Sequence, residues 1–104
     1  MKTLQMQSCV HENGTVECAL VEVEVSQPGV GEVLVEIDAA PINPSDLGLM
    51  FGAADLSTAR EAERDKQPAI VFDLPPPAMR AMAPRVGHWL PVGNEGSGRV
   101  IAVG

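Results

Sequence analysis

The sequence has no tyrosine, only three aromatic residues (Phe51, Phe72 and Trp89), two cysteines and two histidines among 104 residues. So few rings leave no platform on which nucleic-acid bases could stack, and they predict an aliphatic core of Val, Leu, Ile, Ala and Met. Cys9 and Cys18 match no paired-cysteine zinc spacing, and they are expected as reduced, partly buried thiols rather than a disulfide across a hairpin. Cations are short as well: seven Lys and Arg against fourteen Asp and Glu leave a formal net charge of −7. That balance argues against nucleic acid or an anionic membrane as partner, because both reward side chains that neutralise phosphate. Gln5, Gln7, Ser8 and His11 interrupt any signal-like start, and no apolar run approaches the roughly 20 residues that cross a bilayer. A cytoplasmic location is expected.

What is present reads as a single, mainly β domain. Residues 2–10 form a plausible strand, and Glu12-Asn13-Gly14-Thr15 is a hairpin signal because Asn and Gly both tolerate positive φ. The return strand over residues 16–25 changes phase, with Val16, Cys18 and Leu20 on one parity and Val21, Val23 and Val25 on the other. A bulge near Leu20 and Val21 would keep both sets on the core, leaving Glu17, Glu22 and Glu24 outside. Gln27-Pro28-Gly29-Val30-Gly31 is a turn, with Gly29 expected at the positive-φ position. It feeds a third strand of a meander, in which Val33, Val35, Ile37 and Ala39 share a buried face opposite Glu36 and Asp38. Pro41 and Pro44 then stiffen a polar corner that carries Asn43, Ser45 and Asp46.

Beyond the corner, residues 47–51 suit one helical turn stopped by Gly52. Residues 55–66 are expected to form an exposed helix, with Thr58 and Glu61 as a capping box and Glu61 paired to Arg64. Its thin apolar face of Leu56, Ala59 and Ala62 would hold it weakly. A short apolar run, Ala69-Ile70-Val71-Phe72, precedes Pro75-Pro76-Pro77, which should open a helix carrying Met79 and Met82 as packing residues. In Gly93-Asn94-Glu95-Gly96-Ser97-Gly98, the glycines imply a close backbone approach before the strand that follows. A dinucleotide fingerprint is excluded there, because it needs a strand before its glycines and a helix after them. Glu95 is expected as a buried carboxylate bracing that turn, and His11 and His88 as structural or surface residues.

Two segments together carry a resemblance. Residues 31–47 (GEVLVEIDAAPINPSDL) and 90–104 (LPVGNEGSGRVIAVG) resemble the start of the medium-chain dehydrogenase/reductase superfamily, in its zinc-independent, quinone-oxidoreductase-like branch. The resemblance implies a GroES-like, partly open β-barrel over residues 1–104, with short helices in the stretch 47–89 and an insertion over 53–89. Zinc-dependent relatives have a cysteine at the place of Asn43 and a histidine at the place of Asn94; amides are poor zinc ligands, so no zinc is expected. By the same comparison Asn43 would contact cofactor or substrate, Ser45 would donate a proton or position a water, and Asp46 would orient the corner. Residues that simply build a turn are the alternative for all three.

Family enzymes continue through the rest of the barrel into a Rossmann domain that holds NAD(P)H. A chain of this sequence alone is therefore expected to be inactive, with that domain supplied downstream or in trans. The other readings are a binding module that forms a homodimer or larger oligomer through the open edge of residues 99–103, beginning at Arg99 and ending at Val103, or a folded remnant without activity.

Overall fold

The computed structural model describes all residues, Met1–Gly104. Strands β1 (Lys2–His11) and β2 (Thr15–Glu24) form an antiparallel hairpin whose register runs unbroken from Lys2↔Glu24 to His11↔Thr15. Its three-residue loop places Gly14 alone at positive φ (+83°), so Asn13 does not share the left-handed conformation expected of both. The bulge expected near Leu20 and Val21 is absent. The change of parity is absorbed instead by burial on both faces, because Val16, Glu17, Cys18 and Ala19 are all buried.

The segment expected as a helix over residues 55–66 is a strand. β4 (Asp55–Arg64) pairs antiparallel with β5 (Gln67–Asp73), from Arg64↔Gln67 through Ala62↔Ala69 to Arg60↔Val71, and the ladder is interrupted between Asp55 and Arg60. Thr58 caps no helix: its hydroxyl donates to the Asp55 carbonyl at 2.6 Å and accepts the Asp73 amide at 2.8 Å inside that irregular stretch. Arg60 pairs with Asp73, and Arg64 turns to Glu17 rather than Glu61. A helix with so little to bury has no tertiary reward, whereas alternating charge suits an exposed edge strand, so pairing overrides propensity. The connecting Asp65-Lys66 turn carries both residues at positive φ (49° and 67°). Neither is a glycine, which is why the hairpin leaves no sequence signal. Lys66→Gly is accordingly expected to stabilise the fold by about 0.5–1 kcal/mol, read as a rise of a few degrees in thermal midpoint.

The strands make a five-stranded sheet in the order β4-β5-β2-β1-β6, with β6 (Leu90–Pro91) as a two-residue edge. One face carries Val10, Val16 and Phe72, which form the core with Leu74, Ala78 and Met82. That core lies under the short helices α1 (Pro44–Met50) and α2 (Pro76–Ala81) and the 3₁₀ turn Ala83–Arg85. Phe51, Met79 and Val86 pack around it, so both methionines serve packing as expected. α1 begins three residues before the expected turn, and its C-terminal carbonyls are taken by side chains of the sheet and the 3₁₀ turn. Ser8 Oγ and Cys18 Sγ donate to the Met50 carbonyl at 2.8 and 2.9 Å, and Arg85 donates to that of Leu49 at 2.6 Å.

The opposite face carries Cys9, His11, Glu17 and Arg64. Because Ser8 pairs with Cys18 and Cys9 with Glu17, the two cysteines project to opposite faces, and both are free thiols. Arg64 of β4 lies over the ring of Trp89, beside β6, with 4.6 Å from its guanidinium carbon to the ring centroid. Side chains from the two edges of the sheet thus meet over this face. No ladder joins β4 to β6, so the sheet does not close into a barrel.

The third strand, β3 (Val33–Ala39), does not extend a meander. It pairs with β7 (Ser97–Val103) in a separate two-stranded ribbon. The turn before it runs Gly29 to Glu32, with the positive φ on Gly31 (+81°) rather than Gly29. The face of Val33, Val35, Ile37 and Ala39, expected to be buried, is exposed because no layer covers the ribbon. An apolar cleft of about 620 Å³ separates it from the ends of β1 and β2 near Leu4, Val23 and Val25. The molecule is correspondingly extended: its radius of gyration is 15.6 Å, against about 13 Å for a compact chain of this length. No helix is long and apolar enough to cross a membrane.

Candidate functional site

The two segments that carry the family resemblance are neighbours in space. Ile37 pairs with Gly98 and Ala39 with Ser97, across a register shift that brings the two backbones close together. A side chain at Gly98 would collide with the Glu36 carbonyl, and one at Gly96 would press on Ile37 at 3.2 Å, so the close approach expected of the glycine stretch is real. Gly93 turns the chain into it at a φ of +93°.

Where β3 ends and β7 begins, Ala39, Ala40 and Pro41 face Asn94, Glu95, Gly96 and Ser97 around an open depression of about 660 Å³. One wall is apolar. The other offers an amide, a carboxylate and a hydroxyl, a set suited to hydrogen-bonding a small polar compound. Glu95 is exposed, which corrects the buried brace expected of it. A carboxylate at the rim of a glycine-rich turn keeps its hydration, whereas burial there would need partners the turn does not contain.

Asn43, Ser45 and Asp46 stand just past Pro41 and do not line the depression. Asn43 is the N-cap of α1 with extended backbone, Pro44 opens the helix, and Asp46 is buried. The Asn43 amide donates to Asp46 Oδ2 at 2.8 Å, while the Asp46 amide donates to the Asn43 carbonyl at 2.9 Å. Asp46 is thus committed to holding the first turn of the helix, and Ser45 is exposed on its surface. The corner is rigid, and the one side chain of the three that packs inward is engaged locally.

The most strongly coupled polar group lies elsewhere. Glu17, expected to point outward, is 6% exposed. Arg64 grips its carboxylate in two places, Nε to Oε2 at 3.0 Å and Nη2 to Oε1 at 2.9 Å, and His11 Nε2 lies 2.7 Å from Oε1. The edge of His11 meets Trp89 at 6.0 Å between ring centroids. The Arg64 hydrogen bonds hold the Glu17 carboxyl below the ordinary carboxylate range, against the upward pull of burial and with help from His11. Cys9 Sγ sits 4.0 Å from His11 Nδ1, yet burial, and then the Glu17 charge, push its thiol up. Burial likewise raises Cys18. Both cysteines are therefore held as thiols, poor nucleophiles, and the cluster is a satisfied polar interior. Six residues across the Asn-Gly turn put His11 and Glu17 on one face, a signal present in the sequence. Arg64 leaves none, because its segment has helix-forming composition although it folds as β4.

No group of three or more His, Cys, Asp or Glu side chains is placed to hold a metal ion. The strand ladders are all antiparallel, so the chain contains no parallel strand-helix-strand unit of the kind that cradles a dinucleotide. Compared with protein families and with curated proteins, the chain matches no family model and no curated sequence.

Proposed function

We propose that this chain is the substrate-side, GroES-like barrel portion of a zinc-independent NAD(P)H-dependent oxidoreductase acting on a quinone, an enone or a similar carbonyl compound. The observation that carries the reading is the β3–β7 pairing. Two segments about sixty residues apart, each resembling the same family, come together around one depression at the end of the Asn-Pro-Ser-Asp corner. Within it, the Asn94 amide and the Ser97 hydroxyl supply donors for a carbonyl oxygen, and Ala39, Ala40 and Pro41 supply the apolar wall for a carbon skeleton. Asn43 and Ser45 flank that wall on a corner that Asp46 holds rigid. Amides at residues 43 and 94 replace the ligands a zinc site would need. The nicotinamide carrier has to be held by a Rossmann domain, downstream or in trans, and the chain alone is inactive.

Titration with cyclohex-2-enone, followed by backbone amide NMR, tests the substrate side. Shifts confined to residues 39–43 and 94–97, saturating in the millimolar range and weakened in Asn94→Leu, are expected. Absence of saturable shifts there, or NADPH oxidation by the chain alone, rules the proposal out.

A further inference from the structure

Cys9 and His11 are two residues apart on β1, so their side chains leave the strand on one face, opposite the core that holds Val10. Glu17 of β2 stands directly across from Cys9 in the ladder. The Cys9 sulfur lies 4.0 Å from His11 Nδ1, and the other ring nitrogen, Nε2, lies 2.7 Å from Glu17 Oε1. In neutral imidazole that short contact keeps the proton on Nε2, which donates to the carboxylate, and leaves Nδ1 a free lone pair beside the sulfur. Arg64 fixes the carboxylate with two hydrogen bonds and so fixes the ring. A carboxylate behind an imidazole is the support that metal-ligating histidines ordinarily have.

The separation of the two donors selects the ion. Bonds of about 2.3 Å to sulfur and about 2.0 Å to nitrogen hold a Cys–His pair about 3.5 Å apart around a tetrahedral ion and about 4.3 Å apart around a linear one. The observed 4.0 Å is nearer the linear case. No third donor completes a tetrahedron, because both Glu17 oxygens are engaged by Arg64. Charge points the same way. Cys9 is 2% exposed, and at that depth a thiolate with a monovalent cation is neutral, whereas a divalent ion would leave a buried net charge. Among monovalent cations, a soft thiolate selects copper(I).

We propose that Cys9 Sγ and His11 Nδ1 form a two-coordinate site for copper(I). Binding replaces the S–H bond with a sulfur–copper bond and releases the thiol proton to solvent, and no redox state changes. The His11 side chain is 29% exposed, which gives the ion a way to the buried sulfur, and Trp89 meets the ring edge-on. Cys18 offers no such pair: its thiol lies on the other face and donates to the Met50 carbonyl at 2.9 Å. None of these residues lines the depression at Asn94 and Ser97, so the inference does not depend on the oxidoreductase reading.

Anaerobic titration with copper(I) in competition with the chromophoric chelator bicinchoninate tests it. The wild-type chain is expected to hold one equivalent, Cys18→Ser the same amount, and Cys9→Ser none. His11→Gln is expected to weaken retention by about tenfold or more, with an unchanged far-UV circular dichroism spectrum. X-ray absorption at the copper edge of the wild-type complex provides a check independent of variant folding, and one sulfur and one nitrogen bound to copper are expected. No retention by the wild type, retention that survives Cys9→Ser or is undiminished in His11→Gln, loss of retention in Cys18→Ser, or copper bound by sulfur alone, the mark of adventitious thiol chelation, each overturns the inference.

Discussion

Glu17→Gln is expected to lower the thermal midpoint by about 10 °C at neutral pH, a loss of about 2 kcal/mol for a domain of this size. The amide keeps the volume of the side chain and one acceptor, but it removes the charge that accepts both Arg64 bonds and faces His11. Arg64 is partly exposed, so it regains some hydration when released, which keeps the loss below the 3–5 kcal/mol of a fully buried pair. The pH dependence follows from the direction of the Glu17 shift. A carboxyl held below its unfolded value stabilises fully above that value, roughly pH 4.3, and loses its contribution as pH falls through the lower folded value. The difference between wild type and Glu17→Gln should therefore be constant above about pH 5 and shrink in acid. A gap that widens in acid would show that the carboxylate is not the stabilising species. Circular dichroism melts across that range decide the matter.

Phe72→Ala should have the largest effect of any single truncation, about 3–4 kcal/mol, with a midpoint lowered by about 15 °C or more. The reason is how little core there is. Six buried apolar side chains form it, Phe72 is the only aromatic ring among them, and its ring lies 5.4 Å from that of Phe51. Removing it takes away the contact between β5 and the end of α1, and the surrounding sheet cannot close the gap without breaking the β2–β5 ladder. Urea denaturation checks this: the midpoint should fall with little change in slope, since the surface exposed on unfolding is nearly the same. An effect below 1 kcal/mol would mean that the site collapses freely.

Much of the architecture was legible because it depends on local rules. Asn13-Gly14 announced the first hairpin, the three prolines announced α2, and the glycines between Gly93 and Gly98 announced a close approach that the β3–β7 pairing supplies. The failures have a common cause. Residues 55–66 have helix-forming composition and no turn glycine after them, yet they pair with β5, since the partner strand rather than propensity settles a weakly amphipathic segment. The parity change in β2 needs no bulge, because Val16, Glu17, Cys18 and Ala19 are buried on both faces of the strand. Arg64 of β4 and Trp89, the residue before β6, meet over the face that carries Glu17. At the candidate site, the alternation of β3 correctly marked a strand, but whether its apolar face is covered depends on what packs against it.

Composition and spacing alone determined that this chain is acidic, mainly β, aliphatic in its core and free of paired-cysteine zinc motifs, because those properties follow from residue counts and periods of a few residues. Tertiary structure decided that the third strand leaves the meander for β7, that the two resembling segments share a depression, and that Asp46 is engaged in a cap while Glu17 is buried in an ion pair. Each of these joins residues tens of positions apart, and neither local propensity nor periodicity specifies which distant strand supplies the partner.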